Sequence, residues 1–180
     1  TELPTNCNNT HAIQAFRKLL YNRLEPVLDN QQHHDQAGFR KHCSTVDHLF
    51  TASIIQETSD EWQVPFWIAA VDFKKAFDSV THSGLWSALA EQGVEQAYID
   101  LLNKLYHKQT AAVKTDKLSR YFSIERGVKQ GDPLSSLLFN CMSESLMRKV
   151  KHKWMTKRWG LQLEAHGNER LTNLRFADDI

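Results

Sequence analysis

The chain has 180 residues, of which 41% are hydrophobic and 24% charged, and its formal net charge is +1. That length suits one domain, or two intimate subdomains, with a real core, and the composition is that of an ordinary globular protein. A balance so near neutrality excludes a whole-chain electrostatic case for nucleic acid, and no run of about 18 apolar residues offers a membrane span.

Cys7, Cys43 and Cys141 are widely spaced, give no zinc pattern, and read as reduced thiols of an intracellular protein, nuclear or cytoplasmic. The start, TELPTNCNNT, and the end, RFADDI, are both expected to lie inside a longer protein.

In chain order, the pattern predicts a helix over 10–28, with Ile13, Phe16, Leu19, Leu20 and Leu24 at helical spacing. A polar stretch at 29–42 turns near Gly38. Ser44 can cap a second helix, carrying Val46, Leu49, Phe50, Ile54 and Ile55 to about residue 59. After Pro65, the run Phe66-Trp67-Ile68-Ala69-Ala70-Val71 suits a buried strand. Helices follow at 83–92 and 95–107, and a hairpin at 109–126. A long helix covers 134–155, and a second hairpin joins 161–165 to 171–177 through His166-Gly167-Asn168. Helices first, then strands mixed with helices, predict an α+β fold.

Three segments carry chemistry. Asp72, in Val71-Asp72-Phe73-Lys74-Lys75-Ala76-Phe77-Asp78, ends the apolar run, where a rigidly held carboxylate suits a divalent cation. Phe176-Ala177-Asp178-Asp179 places two acids side by side, and a cation would relieve their repulsion. Each alone also reads as a solvated strand-end or turn Asp. Together they match two-metal phosphoryl transfer, which needs oxygen ligands from separate segments around ions about 3.5–4 Å apart. In Arg126-Gly127-Val128-Lys129-Gln130-Gly131-Asp132-Pro133, a loop opens a helix that Asp132 can cap. Its amides suit a nucleotide or template backbone; the bland alternative is a loop-to-helix joint.

These segments, in this order, resemble the A, B and C motifs of reverse transcriptases, specifically those of non-LTR (LINE-type) retrotransposons. Gln36-Ala37-Gly38-Phe39-Arg40-Lys41 with Ser44-Thr45-Val46-Asp47 resembles the fingers motif of the same group. The resemblance implies a right-hand polymerase: fingers at 1–66 and a palm at 67–180 with a four-stranded antiparallel sheet flanked by helices, the thumb missing. It implies RNA-directed DNA synthesis on an RNA template and DNA primer from dNTPs, with two Mg²⁺ ions (Mn²⁺ as a substitute). Asp72, Asp178 and Asp179 would be the catalytic acids and metal ligands, and Phe73 would add its carbonyl. Phe77 would be the aromatic that excludes a 2′-hydroxyl. Gln130 and Gly131 would line the dNTP pocket, and Arg40 and Lys41 would face triphosphate or template. The family often has Gly-Arg where this chain has His42-Cys43, which removes one expected cation.

The basic stretch with Lys149, Lys151, Lys153 and Arg158, interleaved with Trp154 and Trp159, reads equally as a template–primer contact or as a solvated helix end. The fragment alone is expected to be inactive or very weak. Two alternatives stay open: a decayed or domesticated copy that binds nucleic acid without catalysis, and a group II intron-type reverse transcriptase. A viral RNA polymerase fits less well, because Ala177 stands where Gly is usual there.

Overall fold

The computed structural model describes residues 7–129, 131–163 and 169–180, with side-chain environments given from residue 11 onward. Gln130 and the turn at 166–168 therefore lie outside the described residues. Six helices appear there: α1 Cys7–Asp29, α2 Thr45–Trp62, α3 Ala76–Ser79, α4 His82–Glu91, α5 Gln96–Tyr106 and α6 Pro133–Thr156. Two antiparallel two-stranded sheets accompany them, β1 Thr110–Ala111 with β2 Phe122–Ser123 and β3 Leu161–Gln162 with β4 Arg170–Leu171. The fold is α+β, and none of its helices is long and apolar enough to cross a membrane, among the described residues.

Helices α2 and α6 begin where the sequence supplies caps. The Asp47 carboxylate accepts from the Ser44 backbone N–H at 2.8 Å, half of a capping box at the start of α2. Asp132 caps α6 by accepting from Leu134 N–H at 3.1 Å, and Pro133 occupies the first turn, where no donor is lost.

Helix α6 is the central element. Leu134, Leu137, Leu138 and Cys141 recur at helical spacing and are buried. They meet Leu20, Leu24 and Leu28 of α1 and Leu85, Ala88 and Leu89 of α4, while α5 packs on α4 with Ile99 and Leu102. On α1 the inward face is thus Leu20-Leu24-Leu28; Ile13, Phe16 and Leu19 are exposed.

Three expectations are revised. The run 66–71 is not a buried strand: Trp67 is 96% and Ile68 75% exposed. Apolar density signals burial only if another element covers the run, and among the described residues its backbone pairs at Val71 with Ile180. Helix α2, which carries Val46, Leu49, Phe50, Ile54 and Ile55, has no buried residue. Among the described residues the single four-stranded antiparallel sheet is also not seen as such; the two β-pairs are separate.

Four short extended segments lie side by side, in the order 35–37, 175–176, 179–180 and 71. Arg175 N–H donates to Asp35 O (2.7 Å) and Ala37 N–H to Arg175 O (2.9 Å), a parallel bridge. Phe176 and Asp179 exchange bonds of 2.9 and 3.1 Å, and Val71 and Ile180 exchange bonds of 2.7 and 2.9 Å. Such alternation of bonding sides along 179–180 is that of a strand flanked on both edges.

Candidate active site

The Phe176–Asp179 exchange closes a two-residue turn whose central residues are Ala177 and Asp178. Ala177 has φ 59°, in the left-handed region, as hairpin turns of this size demand at their first central residue. Asp178 is half-buried, and Asp179 and Asp72 are exposed. The Val71–Ile180 exchange is an antiparallel hydrogen-bonded pair. Asp72 follows and Asp179 precedes the bonded pair, so each acid lies one residue from it. Two acidic segments more than a hundred residues apart in sequence therefore meet.

Among the described residues no group of three or more His, Cys, Asp and Glu side chains forms a ready metal cage. The donor chemistry nonetheless fits a hard divalent cation: carboxylate oxygens from two segments brought together. Among the described residues none of the three carboxylates is engaged by a hydrogen bond or an ion pair, so their charges have no internal counterion.

Phe77 lies one short turn beyond Asp72, in α3. Its ring stacks on Phe139 of α6 (centroids 4.6 Å, 14° between planes) and meets the edge of Phe39 at 6.0 Å and 90°. Both contacts fix its orientation. The loop before α6 docks beside it: Val128 N–H donates to Phe77 O at 3.0 Å, and Gly127 N–H to Val80 O at 2.7 Å. Gly127 has φ 98°, and a Cβ there would stand 3.2 Å from the Asp78 Cα. Gly131 continues this loop into a cleft of about 290 Å³ between α1 and the start of α6, lined also by Arg17, Lys18 and Lys129. Arg17 binds Asp132 at 2.8 Å, which ties α1 to the capped end of α6.

The structure gives several expected ligand-facing cations internal partners. Arg40 donates to the Asp29 carboxylate at 2.7 Å and to the carbonyls of His33 and Gln36 at 3.1 Å each. Lys41 pairs with Glu25 at 2.7 Å but stays exposed. Lys151 is half-buried and binds Asp35 at 2.6 Å, whereas Lys149, Lys153 and Arg158 are exposed on or just beyond the end of α6.

Sequence reasoning missed the support beneath the turn. Gln36 is fully buried; its Oε1 accepts from Gly38 N–H (2.8 Å) and Ala177 N–H (2.9 Å), and its Nε2 donates to Ala177 O (3.2 Å). A Cβ at Gly38 would fall 2.1 Å from the Ala177 nitrogen, so glycine alone fits there. Asn140 of α6 donates to Gly38 O at 2.7 Å. Arg175, fully buried, binds Asp35 and, at 2.7 Å, Glu144 of α6. Burial on its own would raise the Asp35 carboxyl, and that is the largest single influence on it. The Arg175 charge together with bonds from Lys151 and Arg175 outweighs burial and holds it below its ordinary value. His33, on the same node, is lowered, chiefly by burial and despite Asp35. An arginine set just before an acid pair was the available signal for this node, but nothing local told a buried cation from an exposed one.

The sequence profile of the reverse transcriptase (RNA-dependent DNA polymerase) family matches residues 5–180, and the chain belongs to that family. Three relatives are Pol polyproteins of retrotransposable elements. The chain is 28% identical over 183 residues to the type-1 R2 protein of Popillia japonica, covering 99% of this chain and 25% of that protein. It is 30% identical over 146 residues to the type-2 R2DM protein of Drosophila melanogaster, covering 81% and 13%. It is 34% identical over 172 residues to the type-1 R2 protein of Nasonia vitripennis, covering 94% and 16%. The chain thus spans a quarter or less of these relatives' lengths, and the likeness to non-LTR retroelements drawn from the motifs is what these matches support.

Proposed function

We propose that this chain is the catalytic core of an RNA-directed DNA polymerase of a non-LTR retroelement, extending a DNA primer on an RNA template by transfer of a nucleotide from dNTP to the primer 3′-oxygen. Residues 1–66 belong to the fingers and 67–180 to the palm. The observation that carries the reading is the reciprocal bonding of Val71 and Ile180, which draws Asp72 toward the Asp178-Asp179 turn.

Asp72, Asp178 and Asp179, with the Phe73 carbonyl, would hold two Mg²⁺ ions. When bound, such ions lower the pKa of an attacking hydroxyl and stabilise charge on the transferring phosphoryl group. The chain's own residues do the rest. The Phe77 ring, backed by Phe139, lies beneath the sugar and leaves no room for a 2′-hydroxyl. Gly131 and Gln130 line the nucleotide pocket, and the cationic cleft beside Gly131 attracts phosphate oxygens. Lys149, Lys153 and Arg158 contact the nucleic-acid backbone, with Lys41 as a further exposed cation. Arg40 and Lys151, already bonded to Asp29 and Asp35, shape the surface from beneath rather than reaching for phosphate.

The test is primer extension on an RNA template by a protein containing this chain. Expected are dNTP-dependent synthesis and its loss in Asp178→Ala. Nucleic-acid binding with no synthesis by the unaltered protein would leave the non-catalytic reading in its place, and synthesis that survives Asp178→Ala would remove Asp178 from the catalytic set.

A further inference from the structure

We propose that Gln36 is a positioning residue for the acidic turn: its side-chain amide fixes the backbone of Ala177, and so the directions in which Asp178 and Asp179 leave the chain. The inference rests on the polymerase reading for what those carboxylates do.

Ala177 sits in a conformation that L-residues avoid, with φ 59°. Such a residue persists where its surroundings over-determine it. Here they do. The Phe176–Asp179 bonds close the turn from outside, and both backbone polar groups of Ala177 are taken by one side chain. A primary amide is suited to this, because it carries a donor and an acceptor on one plane. The Gln36 Oε1 also binds Gly38 N–H, so the amide cannot rotate without breaking three bonds. Gly38 lies against the turn and is anchored to α6 by Asn140, which fixes the Gln36 segment from behind. Gln36 touches no reacting atom. It acts on the residue immediately before Asp178, and a carboxylate shifted by about 1 Å can cost a site on the order of 100-fold.

A buried glutamine of the same kind supplies the control. Gln92 is buried in the helical core and donates from Nε2 to Cys141 O at 2.7 Å, far in sequence from the turn. Mn²⁺ alone is titrated calorimetrically into the chain and into Gln36→Met, Gln92→Met and Asp178→Asn. Gln36→Met is expected to weaken Mn²⁺ binding by at least about tenfold, as loss of an outer-shell partner does, and Gln92→Met by less than about threefold at a comparable loss of thermal stability. Unchanged affinity in Gln36→Met where Asp178→Asn no longer binds would overturn the proposal, as would equal losses in the two glutamine variants. Binding untouched by Asp178→Asn would overturn the polymerase reading instead. Hydrogen exchange at the Ala177 amide of the unaltered chain decides the clamp independently: slow exchange is expected, and free exchange refutes it even if Gln36→Met fails to fold.

Discussion

Replacing Arg175 by Met removes the side chain that bridges Asp35 and Glu144 beneath the acidic turn. Breaking a buried ion pair from one side costs about 3–5 kcal/mol, because a charge is left behind in a poor solvent. Neither carboxylate is left bare: Asp35 keeps Lys151 at 2.6 Å and Glu144 keeps Arg148 at 3.3 Å. The low end, about 3 kcal/mol, is therefore expected. For a chain of this size that is a fall in Tm of about 6–12 °C.

The cost also depends on pH, with a definite sign. In the unaltered chain Asp35 is held below its ordinary value of 3.8, so it contributes stability above that pH and loses it as pH falls through the folded pKa. Without Arg175, only Lys151 is left to oppose the effect of burial on the carboxyl, and that contribution shrinks. The difference between the two proteins should be full at pH 7 and shrink as the pH drops below about 4. Urea unfolding followed by circular dichroism at pH 7 and pH 3 reads both. A cost below about 1 kcal/mol at pH 7, the size of a surface pair, or a cost that grows in acid, would refute the argument.

Gly38→Ala should cost about 1–3 kcal/mol in the same urea assay, since its Cβ meets the Ala177 nitrogen at 2.1 Å; a neutral result would mean the loop and turn are not in contact. Phe77→Val is expected to raise rNTP relative to dNTP incorporation by at least about tenfold in primer extension, and unchanged discrimination would remove Phe77 from sugar selection. Burial pushes the Cys141 thiol up to about 12, so the folded chain should label at Cys43 and not at Cys141 with a thiol reagent at pH 8; labelling at Cys141 without denaturant would contradict its packing.

What the sequence disclosed was local. Ser44 and Asp132 announced two helix starts because a cap and the donor it satisfies lie within three residues. Leu134, Leu137, Leu138 and Cys141 announced the inner face of α6 because helical periodicity needs no partner to be seen. What stayed hidden was every property set at long range. Trp67 and Ile68 read as buried because apolar density speaks of burial without naming the cover. Arg40 and Lys151 read as free cations because Asp29 and Asp35 become their partners only on folding. Gln36 and Arg175 each act on residues about 140 positions away or through another element, and no spacing rule spans that distance. The acids of the candidate site were singled out by their places at the ends of two runs and by resemblance to a motif order, and their role stands as proposed above.

Helix α6 links five parts of this arrangement. Asp132 begins it at the cleft, Phe139 backs the aromatic ring, Asn140 grips Gly38, Glu144 holds Arg175, and Lys151 reaches Asp35. It works as a camshaft whose lobes are cut at fixed angles. One residue inserted near its middle would turn everything downstream by about 100°. The ring support and the salt-bridged node would then fall out of phase with each other. Substitutions along its outward side should be absorbed, while changes in its length should not.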